Sequence, residues 1–130
     1  SVQRLNDQIG NKFATVLFPE ATTGTGKNIL SFKSSLFKVF ETSNTIGLQN
    51  LSLCYTHINS MPVDNRNRVY LSWYGDMSMV GHLRRFLNLS SVNVKIVVNP
   101  LFATSDLNRK EISLMSRKQI VKSHLSSLKA

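Results

Sequence analysis

Residues 18–33 read FPEATTGTGKNILSFK and gather groups that handle anions and hydroxyls: the Glu20 carboxylate, the Thr22 and Thr23 hydroxyls, and the Lys27 and Lys33 ammoniums. A nucleotide-phosphate loop needs Gly, four residues, then Gly-Lys-Ser/Thr, because the backbone amides cradle phosphates and the last hydroxyl holds magnesium. Counting back from Gly26-Lys27 puts Ala21 at the first glycine position and Asn28 at the hydroxyl position. Pro19 and Glu20 stand where a strand should enter, and a glutamate there repels nucleotide phosphates. The next helical pattern begins near Phe32, so no helix N-terminus underlies the Gly-Lys pair. The segment is therefore not a nucleotide-phosphate loop, and another role in handling phosphate stays open.

Other reactive constellations do not assemble. HExxH, GxSxG and a zinc-type cysteine cluster are all missing from the sequence. His57 falls in a polar stretch read as a loop, His82 near a helix start and His124 on the last helix, and each reads as a surface or packing histidine. Cys54 lies in LSLCY, a strand-like run, and reads as a buried structural thiol; a lone cysteine has no internal partner and fits a reducing compartment.

The net charge of +9 and the pI near 10.1 favour phosphate-bearing or otherwise anionic partners without choosing among nucleic acid, lipid and metabolite. No nucleic-acid motif accompanies the charge. No apolar run approaches the roughly 18 residues of a membrane-spanning helix.

The elements that must position these groups alternate in type. Val2, Leu5 and Ile9 have helical spacing, with Gly10 as the stop. Phe13–Phe18 reads as a short buried strand ended by Pro19. Phe32, Leu36, Val39 and Phe40 share a helical face. Strands are expected at Leu48–Tyr55, Val69–Tyr74 and 92–98, the last stopped by Asn99 and Pro100. Asp76 is expected to cap a helix reaching about Leu89, and Asp106 to cap the final helix. On that helix Leu107, Leu114, Val121 and Leu128 recur every seven residues, joined by Leu125, while Lys110, Arg117 and Lys118 take the opposite side. This predicts a core-packing helix with a solvated basic face; a membrane-surface or partner-binding helix is the other reading. The whole is expected to be one α/β domain over residues 1–130, with a mixed central sheet flanked by helices.

Several blocks resemble the glycerolipid (lysophospholipid) acyltransferases of the 1-acylglycerol-3-phosphate acyltransferase type. FPEATT at 18–23 resembles that family's F-P-E-G-T-[RT] block, and LSFKSSLF at 30–37 the segment that follows it. QNLSLCYT at 49–56, YLSWYGDMSMVGHL at 70–83 and NRKEI at 108–112 resemble later blocks, in the same order over nearly all of the chain.

The resemblance implies transfer of an acyl group from acyl-CoA or acyl carrier protein to a lysolipid hydroxyl in phospholipid biosynthesis. It implies no cofactor or metal, and a membrane-associated protein at the cytoplasmic face of a bacterial-type inner membrane. Glu20, Thr22, Thr23 and Lys33 become the acceptor-binding residues. The family's catalytic H-x4-D is absent: the positions five after the histidines are Pro62, Leu87 and Lys129. The expectation is thus the C-terminal, acceptor-binding part of such an enzyme, inactive alone, with apolar surface exposed near Phe13–Phe18. Ala21 replaces a motif glycine and is strained if its φ is positive. Thr23 replaces the arginine of many members and removes a bidentate donor, which leaves the acceptor open. The alternative is a basic module that docks on anionic membrane or nucleic acid without chemistry.

Overall fold

A computed structural model describes residue 7 and residues 14–42 and 47–129. The helix expected at residues 1–9 lies almost wholly outside them. A three-stranded antiparallel sheet of order β2-β1-β3 forms the centre: β1 is Leu48–Ile58, β2 Met61–Pro62 and β3 Val92–Phe102. Helices α1 (Val39–Thr42), α2 (Met79–Leu87) and α3 (Arg109–Lys129) flank it, so the α/β class holds.

β1 and β2 are joined through Asn59 and Ser60, both at positive φ, the geometry of a tight hairpin turn. Asn59 Oδ1 also accepts from the backbone amides of Ser90 and Ser91, at 2.8 and 3.2 Å, and so ties this turn to the start of β3.

β3 runs past Asn99 and Pro100 to Phe102, beyond its expected stop. Pro100 is tolerated because β3 is an edge strand and the register shifts between Gln49 and Leu51 on its partner. Side chains replace the disturbed ladder there: Asn99 Nδ2 donates to the Asn50 carbonyl, and Gln49 Nε2 donates to the Asn99 carbonyl, both at 3.2 Å.

Two expected strands do not form. Residues 14–18 form no strand; Leu17 packs toward the core, while Val16 and Phe18 stay 72% and 81% exposed. Apolar surface was expected in this place and is found there. Val69–Tyr74 is a 3-10 turn (Arg68–Tyr70) followed by irregular chain. Its polar groups turn away from the sheet: the Ser72 hydroxyl donates to the Thr25 carbonyl and Arg68 Nη1 to the Gly26 carbonyl, each at 2.8 Å. Trp73 and Tyr74 are exposed, and the Trp73 indole donates to the Met77 carbonyl.

Both predicted caps are displaced. Ser78, not Asp76, caps α2 and accepts from the Gly81 amide. α3 is started by Asn108, not Asp106: Asn108 Oδ1 accepts from the Lys110 and Glu111 amides at 3.0 Å, and Glu111 Oε2 accepts from the Asn108 amide at 2.9 Å. This reciprocal box satisfies amides that a helix start leaves open. Asp106 instead sits at φ 62°, in the turn before it.

The main apolar cluster is Phe37, Val39, Phe40 and Ile112, with Leu17, Phe32, Leu36, Leu48, Phe102 and Leu107 packed around it. Phe37 stacks on Phe32 with ring centroids 6.3 Å apart. Part of the expected helix over 32–40 is a 3-10 turn, Ser34–Phe37, yet its apolar residues reach the core as their spacing implied.

α3 does not bury its leucines. Leu114, Leu125 and Leu128 are exposed, and the buried residues are Ile112, Ser113, Ser116, Ser123 and Ser127. Small side chains allow the helix to lie close on β1, and several satisfy their hydroxyls within the helix. Ser127 Oγ donates to the Ser123 carbonyl at 2.9 Å, and Ser123 Oγ to that of Ile120 at 3.0 Å. A polar seam completes the contact: Asn50 Nδ2 donates to Gln119 Oε1 at 2.6 Å, and Asn99 Nδ2 donates to Ser123 Oγ at 3.3 Å. Buried polar groups are stable only when paired in this way. The other face of the sheet carries the cross-strand pairs Leu51–Val98 and Leu53–Ile96, all exposed.

Candidate functional site

The loop after Phe18 is closed at its base and held from three sides. Pro19 and Glu20 are the central residues of a turn in which the Ala21 amide donates to the Phe18 carbonyl at 3.1 Å. The Lys33 amide donates to the Pro19 carbonyl at 2.9 Å and brings the two ends together. Inside, the Leu30 amide donates to Glu20 Oε2 at 2.8 Å. From α3, Arg117 donates through Nε to the Leu30 carbonyl and through Nη2 to the Ile29 carbonyl, at 2.9 and 2.7 Å. Arg68 and Ser72 hold the loop tip, as described above. Gly26 is required at that tip: its φ is +69°, and a Cβ would lie 2.9 Å from Ser72 Oγ.

Ala21 adopts φ 53°, the left-handed conformation anticipated where the motif has glycine. The Ala21→Gly substitution is expected to stabilise the chain by about 1 kcal/mol, since glycine meets no Cβ penalty there. A thermal melt should show a rise in Tm of about 4 °C; a fall would mean that Ala21 is not strained.

Two adjoining open clefts lie between this loop and β1, one reaching His124 of α3 and the other the segment from Arg68 to Trp73. One, of about 170 Å³, is lined by Glu20, Thr22, Leu53, Cys54, Arg68 and His124 among others. Its neighbour, of about 220 Å³, is lined by Thr23, Tyr55, Arg68, Leu71, Ser72 and Trp73 with two loop glycines. Three of the four expected site residues, Glu20, Thr22 and Thr23, thus reach the clefts. Lys33 does not; it stands exposed at the loop exit and contributes its backbone. Lys27 is exposed at the tip and lines neither cleft.

Arg68 and His124 are cleft residues that sequence reasoning passed over. Both are far from the loop in the chain and carry no motif of their own; only the fold brings them together. His57, expected in a loop, is in β1. Burial holds the His124 imidazole below its ordinary pKa, aided by nearby Arg68, against opposing effects from the Leu53 backbone and Glu20. The ring is therefore neutral near pH 7. Burial likewise raises the Cys54 thiol, with Arg68 and Lys95 pulling the other way, which fits an unreactive packing role.

The site joins a fixed carboxylate, threonine hydroxyls and a guanidinium in an open cleft. Such a set can hydrogen-bond hydroxyls and pair with charge of either sign. Comparison with known proteins gives this chemistry a context. The chain is 32% identical over 130 residues to a lyso-ornithine lipid O-acyltransferase of Rhizobium meliloti (strain 1021), covering 92% of this chain and 44% of the relative.

The likeness is to the lysolipid acyltransferases.

A second lyso-ornithine lipid O-acyltransferase, from Brucella abortus (strain 2308), is 29% identical over 107 residues, covering 77% of the chain and 40% of the relative. A third, from Rhodobacter capsulatus, is 29% identical over 114 residues, covering 84% and 40%. The chain spans about two fifths of the length of these curated relatives. No family model and no solved structure matches. The acyltransferase resemblance thus has support from relatives, but these do not carry the 1-acylglycerol-3-phosphate specificity that the blocks suggested.

Proposed function

We propose that this chain is the acceptor-binding part of a lysolipid O-acyltransferase of membrane lipid synthesis, and that its acceptor is of the lyso-ornithine lipid kind. The observation that carries this reading is the similarity to three proteins of one stated activity, spread over most of the chain. In the reaction, an acceptor hydroxyl attacks the carbonyl of an acyl-CoA or acyl carrier protein thioester; an ester forms and the thiol leaves. Glu20, Thr22 and Thr23 hold the acceptor head group. Lys33, outside the clefts, is left for a more distant part of the same ligand. The proton acceptor of the H-x4-D type is not among these residues, so the chain by itself is inactive.

The reading is tested on the full-length protein that contains this chain, by following thiol release from acyl-CoA and acyl carrier protein. Release should depend on added lyso-ornithine lipid and exceed that with 1-acylglycerol 3-phosphate. Dependence on the phosphate acceptor alone would retain the acyltransferase and reject the acceptor; dependence on no lysolipid would reject both.

Membrane association at the cytoplasmic face forms part of the proposal. No helix among the described residues is long and apolar enough to cross a membrane. α3, however, exposes Leu114, Leu125 and Leu128, and Lys110 and Lys118, expected on the opposite side, lie one turn either side of Leu114 with Lys122 nearby. An apolar stripe edged by lysines complements an anionic lipid surface. The chain should sediment with anionic vesicles at low salt and not with neutral ones; equal recovery with both would remove the electrostatic part.

A further inference from the structure

The resemblance leaves the head-group site without a guanidinium, because Thr23 stands where many members have arginine. The structure supplies one from elsewhere. Arg68 follows a turn that is fixed by its own side chains: Asp64 Oδ1 accepts from the Arg66 and Asn67 amides at 2.7 and 2.9 Å, and Asn67 Oδ1 accepts from the Asp64 amide at 2.8 Å. Asn67 Nδ2 anchors this turn to the Pro62 carbonyl at the hairpin. Arg68 leaves the turn, lines both clefts and uses Nη1 on the Gly26 carbonyl.

Its Nε is buried and has no partner among the described residues. A buried donor on a charged group is costly to leave unmade, and a guanidinium pairs best with a planar oxyanion. Glu20 lies in the same cleft, with only Oε2 engaged among the described residues, and it forms no ion pair with Arg68. Among the described residues the cleft therefore holds one guanidinium and one carboxylate with no ion pair between them.

We propose that Arg68 binds the carboxylate of a zwitterionic amino-acid head group while Glu20 faces its ammonium. This rests on the acceptor-binding reading above and deepens it: the cleft selects a head group with one charge of each sign. A phosphate monoester offers Arg68 an oxyanion but brings further negative charge against Glu20 and leaves that carboxylate unpaired.

The test needs no catalysis. Nα-octanoyl-ornithine carries one carboxylate and one ammonium; its methyl ester lacks the carboxylate, and octanoyl-glycerol phosphate lacks the ammonium. Binding of the three probes to the chain is measured by calorimetry for the wild type, Arg68→Lys and Arg68→Gln. The acid should bind about tenfold or more tighter than the ester or the phosphate probe, the scale of a charge-assisted pair. Arg68→Gln should abolish the acid–ester difference, although the lost bond to the Gly26 carbonyl lowers both affinities together. Arg68→Lys should keep part of the difference. Persistence of the wild-type difference in Arg68→Gln, preference for the phosphate probe, or binding of none of the three by the wild type overturns the proposal. Acyl transfer is scored separately on the full-length protein. Head-group selection can thus hold where transfer fails, and transfer to lyso-ornithine lipid can hold where Arg68 proves irrelevant.

Discussion

Ile112→Ala is expected to destabilise the chain by about 3 kcal/mol, whereas Leu114→Ala, two residues along the same helix, should change stability by less than about 0.5 kcal/mol. Ile112 is 0% exposed and packs with Phe37, Val39 and Phe40, while Leu114 is 70% exposed. Removing buried methylenes loses their transfer energy and leaves a cavity that the neighbouring aromatic rings fill only in part. A loss of that size is a large share of the roughly 5–15 kcal/mol that holds an ordinary domain together. The measurement is urea unfolding of both variants beside the wild type, with midpoints compared at equal slope. The reverse order, a large loss at Leu114 and little at Ile112, would mean that α3 presents its leucines to the sheet and that this account of the helix is wrong.

That pair of variants also marks where hydrophobic periodicity misleads. The heptad of leucines on α3 is regular, yet the helix buries Ser113, Ser116, Ser123 and Ser127. Ser123 and Ser127 bond carbonyls one turn earlier and Ser113 that of Phe32, while the Ser116 hydroxyl has no partner among the described residues; a face of such small side chains permits close approach to a strand. Asn50, Ser52 and Asn99 show the same inversion on the sheet, where the leucines and valines face outward. Hydropathy cannot report which polar groups will find partners, because those partners come from other elements. Val39 and Phe40, by contrast, were legible as core residues because nothing polar competes for their place, whereas Phe37, equally buried, lay off the expected helical face.

The loop over residues 19–33 was legible in part for a related reason. Its start follows from local text, since Pro19 stops the apolar run before it, whereas the positive φ at Ala21 was legible only through the resemblance, which has glycine at that place. Its inner geometry depends on Arg68, Ser72 and Arg117, whose roles arise only once β1 and α3 are in place. The failed strand at Val69–Tyr74 has this cause as well. Its apolar alternation is satisfactory, but Arg68 and Ser72 bond the loop tip and draw the segment off the sheet edge. Side-chain bonds to distant backbone leave no periodic trace in the sequence.

Arg117→Gln is expected to release the Glu20 loop without unfolding the domain. Arg117 grips the Ile29 and Leu30 carbonyls from α3, and Glu20 accepts from the amide of that same Leu30. One short stretch of backbone is thus held on one side by the helix and on the other by the carboxylate assigned to the head group. Glutamine reaches less far and lacks the fork, so these part-buried carbonyls lose their donors at about 1–3 kcal/mol each. That cost falls on the loop, which opens locally, more than on the Phe37–Ile112 core. Hydrogen exchange at the Leu30 amide should accelerate by about tenfold or more, while amides in β1 and the middle of α3 keep their protection. Lysine at 117 should restore little, because a point charge does not reproduce two parallel bonds. In the full-length protein the KM for the lysolipid acceptor should rise by a similar factor with the KM for the acyl donor unchanged, since only the placement of Glu20 has been disturbed. Unchanged exchange at Leu30 would show that Arg117 does not hold the loop. Uniform loss of protection across β1 and α3 would make it a stability residue of the whole domain instead.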